Sequence, residues 1–265
     1  MNKDKGIQVT PKTQSIDRRE TLAIIGSAVA ATMVGAVLDP RTATAAQPST
    51  SKEESMSPKA FVYTELQISV PFANAPWREI NAAILQQPGF LNKTWLAGIV
   101  TNSLGGIYAF DSIENAQKFM TNYFPNEAKK FRVAQTTLIF DAKTTEAASR
   151  DINSVHFGAK LGRKPGAFVY TEVQVNAPFE KAPWRERNPV LKQQPGLLAK
   201  TWLSGLHTHT LGGIDAFDTV ENAKAFALEA FPATAAKLNA AFCARVFDAT
   251  VVEEASRQMR SPFFG

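Results

Sequence analysis

A lysine stands two residues before a tryptophan at two places in the chain, as Lys93 with Trp95 and as Lys200 with Trp202. Both pairs lie in segments whose alternating apolar residues predict β-strands, so the two side chains of each pair share one strand face. A buried aromatic ring beside an ammonium group could hold an anionic, electron-rich molecule, and the ammonium would stabilise negative charge that develops on it. The alternative is that each tryptophan belongs to the core and each lysine lies at a solvated strand end.

Two glutamates offer a candidate base. Glu65 and Glu172 each follow the string "AFVYT" in another predicted strand. A carboxylate in a partly apolar cavity has a raised pKa and could take a proton from a substrate. The alternative is a structural role, either an ion pair with Lys93 or Arg245 or a hydrogen bond across the sheets. The side chains predicted to contact a substrate are Tyr63, Gln67, Tyr108, Tyr170, Gln174, Asp215 and Arg245.

These residues recur because the chain contains a duplication. "QQPGFLNKTWLAG" begins at Gln86 and "QQPGLLAKTWLSG" begins at Gln193, a shift of 193 − 86 = 107 residues. The same shift aligns residues 60–150 with residues 167–257 without a gap. About half of the aligned positions are identical, and each copy has the size of a small domain. The predicted organisation is an export signal (1–46), a disordered leader (47–58), a first repeat (59–151), a surface linker (152–165), a second repeat (166–258) and a C-terminal tail (259–265).

The two copies differ at a few polar positions. Tyr108 corresponds to Asp215, and Leu138 corresponds to Arg245, so the second copy gains an acid and a base that could pair. His207 and His209 replace Val100 and Asn102, and two imidazoles on one strand face have the spacing of a metal site. No third ligand is apparent, so a metal is not predicted. The alternative for the two histidines is an exposed loop at the end of the strand.

Each copy has the pattern β-α-β-β-α-β, followed by a short helix. The first helix is predicted to start near Pro76 and to stop before Pro88. Gly105 and Gly106 predict a turn before the third strand, Asp111 has the capping-box spacing to Glu114, and the second helix is predicted to end at Pro125.

This element order predicts an α+β fold of two ferredoxin-like repeats. The apolar side of the first strand, which carries Val62 and Leu66, should meet the helices. The other side mixes aromatic and polar residues, so the two sheets should pack face to face as a barrel around a cavity shared by both copies. Fusion of the copies makes this pairing intramolecular, and it predicts a monomer.

The N-terminus predicts export. Arg18 and Arg19 precede the apolar, alanine-rich run 22–38, and the small-x-small triplet 43–45 follows it. This pattern resembles a twin-arginine signal, so the expected partner is the twin-arginine export machinery, and the expected location is periplasmic or extracellular. Membrane contact is expected only through this segment, and the alternative is a retained membrane anchor.

The strings "QQPGFLNKTWLAG" and "GGIYAF" resemble the YdhR-type monooxygenases, small proteins of the dimeric α/β-barrel superfamily, over almost all of each copy. Members of that family are usually single-copy dimers, so the tandem chain departs from the pattern. The resemblance implies a barrel and, further, oxygenation of a small aromatic or polycyclic substrate without metal or flavin. The alternative is a protein that binds such a compound without catalysis.

Composition excludes several other classes. The formal net charge is +5 with no run of basic residues, which does not favour nucleic-acid binding. The single cysteine, Cys243, cannot form an intramolecular disulfide. The sequence contains no P-loop, dinucleotide-binding glycine pattern or hydrolase triad motif, so kinase, dehydrogenase and hydrolase functions are not predicted.

Overall fold

The computed structural model describes residues 57–265. The predicted export signal and residues 47–56 of the predicted leader lie outside these residues. Between residues 57 and 265, no helix is long and apolar enough to cross a membrane.

The two repeats have the same elements. The first contains β1 (Ala60–Leu66), α1 (Trp77–Ile84), β2 (Phe90–Gly98), β3 (Leu104–Phe110), α2 (Ile113–Lys118), a π-helical turn (Phe119–Tyr123), α3 (Phe124–Phe131), β4 (Gln135–Asp141) and α4 (Ala142–Asp151). The second contains β5 (Ala167–Gln174), α5 (Trp184–Leu191), β6 (Leu197–Ser204), β7 (Thr210–Phe217), α6 (Val220–Ala225), a π-helical turn (Phe226–Ala230), α7 (Phe231–Lys237), β8 (Phe242–Asp248) and α8 (Glu253–Gln258).

The eight strands form one antiparallel sheet in the order β4-β1-β3-β2-β8-β5-β7-β6. β2 joins β8 through the pair Ala97–Asp248, and the two ends of the sheet meet where Phe140 bridges Gly205. The backbone hydrogen bonds at the two junctions correspond to each other, from Ile99 N to Val246 O at 3.2 Å and from Leu206 N to Ile139 O at 3.0 Å. The prediction of two ferredoxin-like repeats that pair as a barrel is confirmed.

The two faces of the sheet have different partners. On the helix side, Val62 is paired with Tyr108, whose ring packs against Phe119 of the π turn at 4.9 Å. On the other side, Tyr63 and Tyr170 stack on each other, with ring centroids 4.0 Å apart. The strand alternation therefore separates an outer face, covered by helices, from the inner face of the barrel, as the pattern of the first strand predicted.

Gly105 and Gly106 lie inside β3 and do not form the predicted turn, which falls at residues 99–103. A Cβ on Gly105 would sit 1.9 Å from the carbonyl oxygen of Thr64, and a Cβ on Gly106 would sit 2.7 Å from Cε of Lys93. The two glycines are therefore explained by close approach of a neighbouring strand and of a buried lysine, rather than by turn geometry.

The second helix of each repeat also differs from the prediction. Its N-cap is Ser112, which accepts a hydrogen bond from the Asn115 backbone, so the cap lies one residue after Asp111. The helix does not end at Pro125. It continues to Phe131 through the π turn, in which the Phe124 N–H bonds to the Phe119 carbonyl five residues earlier. Pro125 lies in the first turn of α3, directly after the π turn, where the missing N–H of proline is tolerated.

The C-terminal helix of each repeat crosses to the other repeat. In α4, Ser149 Oγ accepts the backbone N–H of Trp202 at 2.9 Å, and in α8, Ser256 Oγ accepts that of Trp95 at 3.0 Å. These contacts cover the sides of β6 and β2 that lack a strand partner over most of their length, so the repeats are interlocked.

The linker begins with a buried segment and is not wholly a surface connection. Residues 154–157 are buried, and Ser154 Oγ lies 2.7 Å from Thr201 Oγ1 of β6. The tail repeats this contact, because Ser261 Oγ lies 2.7 Å from Thr94 Oγ1 of β2. The buried rings that follow, His156 in the linker and Phe263 in the tail, meet with centroids 5.3 Å apart.

Candidate functional site

A cavity of about 320 Å³ lies on the helix face of the second repeat. Strands β5, β6 and β7 form its floor, and α5, the second π turn and α7 form its walls. Its lining is mostly apolar or aromatic, with Trp184, Trp202, Phe226, Phe231 and Leu211 among the contributing side chains. Its size falls at the lower end of the range of small-molecule sites.

The floor of this pocket carries a buried ion pair. Lys200 Nζ lies 2.9 Å and 3.1 Å from the two carboxylate oxygens of Asp215, which is completely buried. Thr171 Oγ1 lies 3.5 Å from the same carboxylate. Burial raises the pKa of Asp215, and the Lys200 ammonium opposes this shift. Lys200 lines the cavity itself, whereas Asp215 holds the lysine from behind.

A glycine makes this pair possible. Gly213 lies beside Trp202 in the β6–β7 pairing, and a Cβ there would sit 2.2 Å from Lys200 Nζ. The absence of a side chain at Gly213 leaves room for the lysine to lie flat over the sheet.

Trp202 is held by residues that the sequence reasoning missed. Its Nε1 donates to Asn188 Oδ1 at 2.9 Å, and Asn188 Nδ2 donates to Ala148 O at 2.9 Å and to Asp151 Oδ2 at 2.8 Å. Ala148 and Asp151 belong to α4, so the first repeat fixes a wall of the second repeat's pocket. The Asn188 hydrogen bond is the main cause of a lowered pKa at Asp151. The signal in the sequence was an asparagine four residues after the tryptophan of "APWRE" in both copies.

The first repeat has a different arrangement at the corresponding positions. Lys93 Nζ lies 2.8 Å from the ring centroid of Trp95 and 4.8 Å from that of Tyr108, which takes the place of Asp215. Among the described residues, no carboxylate lies within 4.0 Å of Lys93 Nζ. Burial lowers the pKa of Lys93 well below its ordinary value. The lysine is therefore caged by aromatic rings rather than paired with an acid.

Where the cavity shared by both copies was predicted, the Tyr63 and Tyr170 rings stack on each other and occupy the inner side of the barrel. Their hydroxyls donate to Glu65 Oε2 at 2.9 Å and to Glu172 Oε2 at 2.6 Å. Burial raises the pKa of both tyrosines. These four residues lie on the face opposite the pocket, so the structure does not bring the glutamates together with the lysine–tryptophan pairs.

Two more predicted residues lie beyond the pocket. Gln67 and Gln174 are exposed near the ends of β1 and β5, and Gln174 Oε1 accepts a hydrogen bond from Thr210 at 3.1 Å.

The predicted pairing of Asp215 with Arg245 is wrong. Asp215 is paired with Val169 and Arg245 with the next residue, Tyr170, so the two side chains point to opposite faces of the sheet. Arg245 Nε instead lies 3.6 Å from Glu65 Oε2, on the inner face of the barrel. This contact is the structural ion pair that was the alternative for Glu65.

The two histidines lie in an exposed loop at the end of the strand, as one of the two interpretations of the sequence expected, and not on a strand face. His207 and His209 are exposed in the turn between β6 and β7, and His207 has a left-handed backbone conformation with φ 57°. Across residues 57–265, no group of three or more histidine, cysteine, aspartate or glutamate side chains is arranged to hold a metal.

Comparison with known families and structures agrees with the architecture. The family model described as "Putative mono-oxygenase ydhR" matches residues 65–151, almost the whole first repeat. The resemblance predicted from the sequence is confirmed. The second repeat corresponds to the YdhR-like repeat without a gap. No curated protein matches the chain by sequence.

Solved structures share the fold at low identity. An anthrone oxidase-like protein is 13% identical with a TM-score of 0.50, and the match covers 73% of this chain and 92% of that chain. A monooxygenase described as putative, from Lactobacillus acidophilus NCFM, is 6% identical with a TM-score of 0.41, and the match covers 71% of this chain and 93% of that chain. A chlorite dismutase mutant from Candidatus Nitrospira defluvii is 8% identical with a TM-score of 0.43, and the match covers 77% of this chain and 99% of that chain. At 13% identity, the likeness to the anthrone oxidase-like protein concerns the fold alone.

Proposed function

We propose that the protein is a monooxygenase-like enzyme that acts on a small aromatic or polycyclic compound in the pocket of the second repeat. The observation that carries the proposal is the aromatic cavity with the Lys200–Asp215 pair at its floor. The family match of the first repeat and the anthrone oxidase-like neighbour support it. In this proposal no metal or flavin takes part.

The chemistry requires a substrate anion. An aromatic hydroxyl compound whose keto tautomer has a ring CH₂ loses a proton to solvent, and the anion gives an electron to dioxygen. The two radicals combine into a C–O bond, the resulting peroxide anion takes up a proton, and the hydroperoxide loses water, so that the ring CH₂ of the keto tautomer and O₂ become C=O and H₂O. Lys200 would stabilise the anion, since a preorganised charge in a water-poor site is effective at this step. Asp215 would keep the lysine in place.

A binding protein without catalysis is the second candidate. The described residues that line the pocket include no carboxylate, so the expected base is missing from the cavity. An enzyme would then need a substrate that is acidic enough to ionise with help from Lys200 alone. A protein that only sequesters an aromatic compound would need no base.

Oxygen consumption separates the two candidates. We would measure it with hydroquinones and polyphenols, beside binding measured by quenching of tryptophan fluorescence. The test variant is Lys200→Met with Asp215→Asn, which removes both charges together, and the matched control is Lys93→Met in the first repeat. Oxygen uptake that the control retains and the test variant loses would support the enzyme. Binding without oxygen uptake would support sequestration, and absence of binding would refute a ligand role for the pocket.

The proposal includes export by the twin-arginine route. Replacement of Arg18 and Arg19 by lysine should leave the precursor in the cytoplasm, as judged by cell fractionation and immunoblotting. Normal export of the variant would point to another route. We also propose that the exported protein is a monomer, because its two repeats satisfy each other within one chain.

A further inference from the structure

The mouth of the second-repeat pocket is basic. Lys181 precedes α5, Arg187 lies in α5 and Lys237 lies in α7, and all three line the cavity beside the buried Lys200. Arg187 Nη2 donates to Thr234 Oγ1 at 3.1 Å, so one hydrogen bond links the two helices and fixes the guanidinium at the opening. The pocket thus combines an apolar interior with a cationic rim.

The first repeat lacks this charge at the corresponding positions. Lys181 corresponds to Asn74 and Arg187 corresponds to Ile80, so the second repeat has two cations where the first has none. Thr234 corresponds to Glu127, so the second repeat also lacks an anion at this place. All three differences change the local charge in the same direction.

The difference at Thr234 determines whether a neighbouring lysine has a carboxylate partner. In the first repeat, Glu127 Oε1 lies 2.7 Å from Nζ of Lys130 and neutralises it. Lys237 is the counterpart of Lys130, and it has no such partner. Among the described residues, no carboxylate oxygen lies within 4.0 Å of a side-chain nitrogen of Lys181, Arg187 or Lys237. The rim cations are therefore available to a ligand.

We infer that the ligand of this pocket carries a group that is anionic at neutral pH, such as a carboxylate or a sulfonate, on an apolar aromatic body. The body occupies the cavity, and the anionic group lies at the mouth between Lys181, Arg187 and Lys237. This inference rests on the proposed function only in that the pocket binds a small molecule. It adds the charge of the ligand and names the rim residues that select it.

Each rim contact should be modest and dependent on salt. Lys181 and Lys237 are exposed, and exposed charges contribute little individually because water and ions screen them. Acting on one anionic group, two of them together should change affinity by about tenfold at low salt.

Two fluorescent probes with one skeleton test the inference. 8-Anilinonaphthalene-1-sulfonate has a sulfonate, and N-phenyl-1-naphthylamine is the same body without it. Both would be titrated into the full chain at low and high salt. The double variant Lys181→Asn and Arg187→Ile installs the residues of the first repeat. We expect it to weaken sulfonate binding by about tenfold at low salt and to leave binding of the neutral probe unchanged.

Thr234→Glu gives an independent arm, since it restores the carboxylate of the first repeat beside Lys237. It should weaken binding of the sulfonate probe and leave binding of the neutral probe unchanged. The matched control is Lys129→Asn with Lys160→Asn, which removes two exposed cations that lie outside the cavity lining and should change neither probe. If the rim variants lose affinity equally for both probes, or lose it for neither, the inference of an anionic group is overturned. Binding of the neutral probe by the wild type would still support a ligand role for the pocket. Failure of both probes to bind the wild type would overturn the inference together with the proposed pocket.

Discussion

At the scale of single residues, the two buried lysines differ in what their removal leaves behind. Lys200 is paired with Asp215, whereas Lys93 lies over the rings of Trp95 and Tyr108. Replacing Lys200 by methionine strands a buried carboxylate, which should cost about 3–5 kcal/mol of unfolding free energy. Replacing Lys93 by methionine strands no charge and should be neutral or stabilising. Urea unfolding of the two variants checks this, and equal losses would contradict the assigned pairing.

His156 provides a prediction about pH. Its ring is enclosed by Phe61 and Phe263, its Nδ1 lies 2.8 Å from Thr201 Oγ1, and its buried Nε2 has no partner among the described residues. Burial lowers the pKa of His156 to about 3. The unfolded chain therefore binds a proton near pH 6.5 that the folded chain excludes, so this group's contribution to stability is full above pH 6.5 and is lost as pH falls toward 3.

The second repeat has Phe263 at the position of His156, which suggests the test variant His156→Phe. Between pH 6.5 and pH 3 the wild type should lose up to about 1.4 kcal/mol per pH unit from this group, and the variant should not. The difference between their unfolding free energies, normalised at pH 8 to remove the lost Thr201 hydrogen bond, measures the effect. A difference that is independent of pH would show that His156 does not exclude the proton.

The sequence predicted some of the site and not the rest, for identifiable reasons. Lys200 and Trp202 could be predicted to share a face because strand alternation is local. The Asp215–Arg245 pairing failed because it depends on how two strands align, and a shift of one residue moves a side chain to the other face. Asn188 was missed because its role depends on α4, which approaches from the other repeat.

At the scale of secondary-structure elements, α4 and α8 play corresponding parts on opposite repeats. Ser149 accepts the backbone N–H of Trp202 in the pocket floor, and Ser256 accepts that of Trp95, its counterpart in the first repeat. Replacing either serine by alanine leaves a buried donor without its partner, so each variant should lose about 1–3 kcal/mol of unfolding free energy. Chemical denaturation of both variants tests this. A loss in one variant alone would show that the two crossings are not equivalent.

Element order and the first helix could be predicted from periodicity, whereas proline and glycine residues led to wrong predictions of a helix end and a turn. Pro125 and the Gly105–Gly106 pair usually interrupt regular structure, yet here the proline lies in the first turn of α3, directly after the π turn, and tight strand packing explains the glycines. In the second repeat, Phe226 begins the π turn and Phe231 follows it as the first residue of α7, and both lie at the pocket wall. Such local departures depend on tertiary packing, which a single sequence does not display.

At the scale of the whole molecule, the barrel is held by exchange between its halves. The linker segment of the first repeat packs on β6, and the tail of the second packs on β2. Duplication predicted that the sheets would pair, but the exchanged segments lie outside the predicted repeat boundaries. Residues 154–157 and 261–264 correspond to each other, and we call each of these segments the exchanged arm of its repeat. The repeating unit therefore extends beyond its fourth strand and last helix to include this arm.

Removal of residues 261–265 tests the arm. Phe263 and Phe264 pack edge-on against Phe168, with centroids 4.8 Å and 6.0 Å away, and Ser261 binds Thr94. Loss of two buried phenylalanines should cost about 3–6 kcal/mol of unfolding free energy, at about 1.5–3 kcal/mol each. The exposed apolar surface and the edge of β2 should then promote association, because an uncovered strand edge and an apolar patch both seek partners. Thermal unfolding and sedimentation of the truncated chain, compared with a chain lacking Gly265 alone, measure both effects. A truncated chain that stays monomeric with an unchanged melting temperature would show that the barrel closes without the exchanged arms.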